Sequence, residues 1–156
     1  ARVGHSLIKA KIKETGAHLA GEMSGHIFFN DRFFGFDDAL YATCRLAEIV
    51  SSTESTLSEL LSDVPETFIT PEIRQESPEN IKFKVPSHVA DQLREHYEVN
   101  TIDGVRVTFE NGWGLVRASN TQPVLVMRAE GTTPEERDDY LAILQQAVAK
   151  AEASLQ

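Results

Sequence analysis

Apolar and polar positions recur with two different periods along this chain, and the change of period marks its elements. Leu7, Ile8 and Ile12 share one side of a helical wheel with lysines between them, so a short amphipathic helix is predicted, with Gly16 as its stop. Residues 17–20 predict a short strand, residues 21–25 a glycine-bounded loop, and Ile27-Phe28-Phe29 strand again. Asp37-Asp38 stand where a cap and a favourable charge belong, ahead of a helix to about Val50 that buries Leu40, Cys44, Ala47 and Ile49. Thr56 and Glu59 have capping-box spacing before Leu60-Leu61, and Pro65, Pro71 and Pro78 then exclude a long helix.

Beyond this the pattern becomes that of an antiparallel sheet with covering helices. Residues 68–75 read as an extended segment, an edge strand because of Pro71. Ser87 is placed to cap a helix running through Tyr97, with Val89, Leu93 and Tyr97 on one face. Val105, Val107 and Phe109 alternate with Arg106 and Thr108; Asn111-Gly112 is a strong hairpin signal, and residues 113–117 form the return strand. Residues 123–129 are a further strand. Thr133-Pro134-Glu135-Glu136 combines an N-cap, a first-turn proline and a capping-box glutamate, and opens a helix to about Ala153 that buries Tyr140, Leu144, Val148 and Ala151. The fold class is therefore α+β: a four-stranded antiparallel sheet covered by two helices over residues 66–156, preceded by an incomplete α/β segment, residues 1–62. Residues 66–156 are expected to fold alone, and residues 1–60 to be partly disordered in isolation.

Composition narrows the function. Of 156 residues, 41% are hydrophobic and 25% charged, an ordinary globular balance. A net charge of −9 disfavours nucleic acid and anionic membranes, so any anion must be gripped by a few aimed donors. The single cysteine, Cys44, excludes an internal disulfide and is expected to be a buried small hydrophobe. No apolar run approaches the ~20 residues of a membrane span, and no signal peptide opens the chain. A soluble, cytoplasmic protein is expected. Ala1-Arg2-Val3 leads directly into patterned sequence without a methionine, as a piece of a longer protein would.

Two loops carry candidate chemistry. Arg117-Ala118-Ser119-Asn120-Thr121-Gln122-Pro123 is polar between two apolar strands. A phosphate dianion wants a guanidinium, hydroxyl donors and backbone N–H groups; Arg117, Ser119 and Thr121 supply the first two, and residues 118–121 the third. At roughly 1.5–3 kcal/mol per charge-assisted hydrogen bond, two or three would hold a phosphate despite the acidic surroundings. An ordinary strand-to-strand turn of common turn residues is the competing reading. In Gly21-Glu22-Met23-Ser24-Gly25-His26, Glu22 as acceptor and Ser24 as donor and acceptor suit a pair of sugar hydroxyls. His18, Glu22 and His26 recur every fourth residue, a zinc pattern only on a helix; the intervening glycines oppose a helix, and a strand would spread the three over ~26 Å.

Four passages in order, Gly4-His5-Ser6-Leu7-Ile8-Lys9, Gly21-Glu22-Met23-Ser24-Gly25-His26, Phe34-Gly35-Phe36-Asp37-Asp38 and Arg117-Ala118-Ser119-Asn120-Thr121, give the chain a resemblance over essentially its whole length. It resembles the α-D-phosphohexomutases, within them the bacterial phosphomannomutase/phosphoglucomutase branch. The resemblance implies a four-domain enzyme, of which this chain holds the end of an α/β domain three and a TATA-binding-protein-like domain four. It implies reversible exchange of hexose 6-phosphate and 1-phosphate, with mannose or glucose as the sugar, through a phosphoserine and a bisphosphorylated intermediate. Glu22 and Ser24 would contact sugar hydroxyls, His5 and His26 would lie near the substrate, and Arg117, Ser119, Asn120 and Thr121 would clamp the phosphate that is not being transferred. Phosphoglucosamine mutases usually carry Gln and Gly where Met23 and Asn120 stand, which favours mannose or glucose over the amino sugar.

The family's Ser-His-Asn-Pro phosphoserine loop and its aspartate-rich Mg2+ loop have no counterpart here. Ser87-His88 continues as Val89-Ala90, and Asp37-Asp38 and Asp138-Asp139 lack the metal loop's glycines. The piece is expected to be inactive alone, with no catalytic or metal residues of its own, its partners being the N-terminal domains of the same enzyme. A non-catalytic phosphosugar-binding module is the alternative, and a nucleic-acid-binding α+β domain a third reading that the charge disfavours.

Overall fold

Ile8 and Ile12, one turn apart, are buried together against Phe28 and form a small core with Ala20. They lie on helix α1 (His5–Thr15), which ends at Gly16; strands β1 (Leu19–Gly21) and β2 (Ile27–Phe29) follow as an antiparallel hairpin. Helix α2 (Ala39–Ser51) begins at Asp38, whose carboxylate accepts the Tyr41 amide at 2.8 Å. This computed structural model describes residues 4–22 and 24–155. Residues 1–65 make one compact unit and residues 66–156 a second. The opening residues Ala1, Arg2 and Val3, and Met23 of the loop between β1 and β2, fall outside the described residues.

The expected burial along α2 is not found. Leu40 and Ile49 are 81% and 48% exposed, and Cys44 and Ala47 are exposed as well. The helix packs through Tyr41 and Arg45, which lie against Phe29 and Phe33: Tyr41 stacks on Phe33 at 4.0 Å and the Arg45 guanidinium covers Phe29 at 4.5 Å. No residue of its apolar stripe is buried within this unit. The predicted capping box is present at a one-turn 3-10 helix (Glu59–Leu61): Thr56 donates its amide and hydroxyl to Glu59, and the Glu59 amide returns to the Thr56 hydroxyl at 3.3 Å.

In the second unit every strand of one sheet is antiparallel to its neighbours. β3 (Phe68–Ile69) and β4 (Ile73–Glu76) both pair β8 (Val124–Gly131), followed by β7 (Gly112–Ala118), β6 (Val105–Phe109) and β5 (Glu98–Asn100). The four expected strands are all there; the first is broken at Pro71, which cannot donate to a ladder, and β5 is added at the far edge. Helices α3 (Val85–Leu93) and α4 (Pro134–Leu155) cover one face. The alternation read from sequence puts Val105, Val107 and Phe109 in the core with Leu125, Met127, Val89, Leu144 and Val148, all buried, while Tyr140 packs against it half-buried.

Three details differ from expectation. Ser87 does not cap α3: the helix starts at Val85 with Pro86 in its first turn, and the Ser87 hydroxyl donates to the Lys84 carbonyl at 2.7 Å. The helix also stops at Leu93, short of Tyr97. The hairpin turns through Glu110 and Asn111, since Gly112 already pairs Phe109. Gly112 is required by a close approach, because a Cβ there would lie 2.0 Å from the Glu130 carbonyl oxygen.

Candidate functional site: a sugar loop and an anion pocket

The turn between β1 and β2 is closed by the Glu22 amide donating to the His26 carbonyl and the Gly25 amide to the Glu22 carbonyl, both 2.9 Å. The Glu22 carboxylate accepts the Gly4 amide at 3.1 Å and the Ser24 hydroxyl at 3.3 Å. Glu22 and Ser24 thus stand as a hydrogen-bonded pair with exposed faces, and the Gly4 contact ties the start of α1 to this turn.

The same tie brings His5 beside His26, ring centroids 4.8 Å apart and nearly perpendicular. Both imidazoles aim at one atom: Asp37 Oδ2 lies 3.0 Å from His5 Nε2 and 2.7 Å from His26 Nδ1. Each ring donates when its proton sits on the nitrogen facing Asp37. Asp37 is held by a single antiparallel bridge to Phe28, while the next residue, Asp38, does the capping. Reading the Asp37-Asp38 pair only as a helix start missed this role. His18 is absent from the group; its carbonyl accepts the Asn30 amide at 2.7 Å. The periodic histidine pattern therefore describes no shared site.

In the second unit Arg117 sits near the end of β7 and borders a concavity of about 390 Å³, lined also by Ser87, Arg94, Asp103, Gly104 and Asn120. Asp103 lies 3.7 Å from the guanidinium. The Arg117 Nε is buried without a hydrogen-bond partner among the described residues. Gly104 admits this geometry: a Cβ would fall 2.4 Å from the Val116 carbonyl and 3.0 Å from Arg117 Cβ, at a φ of 73°.

The loop after Arg117 is organised by Ser119. Its amide donates to the Val124 carbonyl at 2.9 Å, and its hydroxyl oxygen accepts the Thr121 and Gln122 amides at 3.3 and 3.2 Å. The expected four-amide cradle is accordingly smaller: the Ser119 and Thr121 amides are used inside the loop. The Ser119 hydroxyl proton remains available to an anion. Below the loop, Lys82 is buried to 1% side-chain exposure; its ammonium donates to the Gln122 carbonyl at 2.9 Å and pairs with Glu79 at 2.9 Å. Nothing in the local pattern Ile81-Lys82-Phe83 announced that role.

Magnesium takes several oxygen ligands in near-octahedral order. Among the described residues one group of three ligand-bearing side chains converges, His5, His26 and Asp37, and two imidazoles do not suit that ion.

Residues 1–68 match the model of the phosphoglucomutase/phosphomannomutase alpha/beta/alpha domain III, and residues 72–147 match that of the C-terminal domain of the same family. The chain belongs to the phosphoglucomutase/phosphomannomutase family. It is 46% identical over 155 residues to a phosphomannomutase/phosphoglucomutase of Pseudomonas aeruginosa, covering 99% of this chain and 34% of that one. It is 49% identical over 138 residues to a phosphoglucomutase of Neisseria meningitidis, covering 85% and 29%. A crystal structure of a phosphoglucomutase/phosphomannomutase family protein from Burkholderia thailandensis superposes with a TM-score of 0.77 at 42% identity, covering 96% of this chain and 31% of that chain. The chain thus spans about a third of the length of the relatives it matches, and corresponds to their C-terminal part. The family's antiparallel sheet and helices are those described above, and no described helix is long and apolar enough to cross a membrane.

Proposed function

We propose that this chain is the substrate-binding C-terminal part of a phosphohexose mutase that interconverts hexose 6-phosphate and hexose 1-phosphate, with mannose or glucose as the sugar. A phosphoserine elsewhere in the whole protein would give its phosphoryl group to the substrate, making a bisphosphorylated sugar, and take the other phosphate back. Magnesium, held elsewhere, would stabilise charge on the phosphoryl group in transit. Residues 1–62 would be the end of the third domain and residues 66–156 the fourth. The unburied apolar stripe of α2 supports the first assignment, since a helix of an α/β/α layer needs a sheet beneath that stripe. By itself the chain should lack mutase activity, and the whole enzyme should be cytoplasmic.

The observation that carries the reading is the Arg117 pocket with Asn120 in its lining, next to the loop that Ser119 organises. An enzyme that accepts one sugar in two opposite orientations cannot rely on a single hydroxyl pattern, so the non-transferring phosphate is the fixed anchor. Arg117 offers a permanent charge and a fork of donors for it; Ser119, Asn120 and Thr121 offer further donors. Glu22 and Ser24 then need read only a hydroxyl pair that looks alike both ways, with His5 and His26 beside it.

The test is Arg117→Ala in the full-length enzyme, assayed with glucose 1-phosphate and mannose 1-phosphate. Loss of one charge-assisted anchor worth roughly 1.5–3 kcal/mol should lower kcat/KM about 10- to 100-fold for both sugars. Unchanged kinetics for both would overturn the clamp.

A further inference from the structure

We propose that His5, His26 and Asp37 form a site for an imidazole-seeking divalent cation such as Zn2+. The three side chains come from the first residue of α1, the turn before β2 and the bridge residue ahead of α2, and their ligand atoms lie within 4.8 Å of one another. Two imidazoles and one carboxylate are the ligand set of open zinc and iron sites, with further coordination positions left to water or substrate. Those positions exist here, because the His5 and His26 side chains are 56% and 46% exposed.

The geometry is close to what the ion needs. Ligands about 2.0–2.1 Å from a tetrahedral ion stand roughly 3.3 Å apart. The nitrogen-to-oxygen distances are 3.0 and 2.7 Å and no ligand pair exceeds 4.8 Å, so these two pairs must open by a few tenths of an ångström and the exposed imidazoles adjust their spacing to admit the metal. The ion would replace the ring protons now shared with Asp37. The site is also braced: the His5 ring lies edge-on to fully buried Phe28 at 5.5 Å, and the Gly4 amide is fixed by Glu22. Such outer contacts set the orientation of ligating imidazoles. A net charge of −9 draws dications toward the chain while repelling anions. This set excludes His18 and Glu22, the partners that periodicity alone would have given His26.

An ion there would occupy the rings assigned to the sugar, so zinc would inhibit the whole mutase competitively with substrate. That consequence rests on the sugar-site reading; the binding itself does not.

The experiment titrates Co2+ and Zn2+ into the 156-residue chain in chelator-stripped buffer, following the visible Co2+ bands and their bleaching by Zn2+. One equivalent should bind, Mg2+ should fail to displace it, and Asp37→Asn and His5→Gln should each weaken binding by at least about tenfold. His18→Gln should change nothing. Binding at a site present only in the folded unit draws the chain into that fold. Absence of uptake at ion concentrations on the order of 100 μM both by this chain and by the full-length enzyme held in excess Mg2+ would overturn the proposal. Equal binding by wild type, Asp37→Asn and His5→Gln would also overturn it, as would dependence on His18. Each of these results is independent of the Arg117→Ala kinetics.

Discussion

Lysine is almost never fully buried unless paired, and Lys82 is paired twice, to the Gln122 carbonyl at the end of the loop after Arg117 and to Glu79. It fixes one end of the loop, while the Ser119 hydroxyl fixes the middle by accepting two amides. Lys82→Met keeps the side-chain length and removes the donor. Losing the ammonium's hydrogen bond, while the Gln122 carbonyl keeps the Val124 amide at 2.8 Å, should cost residues 66–156 about 1.5–3 kcal/mol, read as a lower thermal unfolding midpoint. An unchanged midpoint would mean the loop is held without the ammonium. Arg117 differs in kind: its Nε is buried and unpartnered and its nearest carboxylate stands 3.7 Å away. A group so placed contributes little to folding, and its substitution should show in substrate use rather than stability.

Between elements of the first unit, charge does much of what the sparse apolar core does not. Arg45 on α2 donates to Asp31 at 2.7 Å and lies 3.3 Å from Glu48, which Arg32 also engages. The Arg45 hydrogen bond holds the Asp31 carboxyl down at about 2, and Arg32 lowers Glu48. A carboxyl depressed on folding stabilises above its unfolded value, near 3.9, and loses that contribution as pH falls toward the folded value. The first unit should therefore hold its stability from pH 7 down to about 4 with respect to Asp31, then weaken between about 4 and 2. Thermal unfolding of Asp31→Asn against wild type checks this: the gap should narrow across that window, and a constant gap would contradict it. The sequence showed the Asp38 cap and the Thr56–Glu59 capping box here, because their spacing is local. It could not show that α2 packs by Tyr41 and Arg45 instead of Leu40, Cys44 and Ala47, since periodicity names an apolar face without naming what covers it.

At the scale of the chain, the second unit carries its own sheet, two covering helices and one continuous core, whereas the first has, among its described residues, a core of three fully or nearly buried apolar side chains. Limited proteolysis should therefore cut within residues 1–65 and leave residues 66–156 intact, with mass spectrometry locating the cuts; the reverse protection would contradict this division. Most of the second unit was legible because strand alternation at Val105, Val107 and Phe109 and the Thr133 to Glu136 cap are local signals. The first site was less so. Glu22, Ser24 and His26 fall in one short loop, but Asp37 joins them only through a bridge to Phe28, and His5 only because α1 folds back beside that turn. Contacts between distant segments leave no mark on spacing. NMR of the 15N-labelled chain, titrated with glucose 1-phosphate and, separately, glucose, probes the proposed anion pocket at Arg117 most directly. The phosphorylated sugar should shift the amides of Ser119, Asn120 and Thr121 and the Arg117 Nε–H, with glucose leaving them still. No shift at these positions, or equal shifts with glucose, would contradict it.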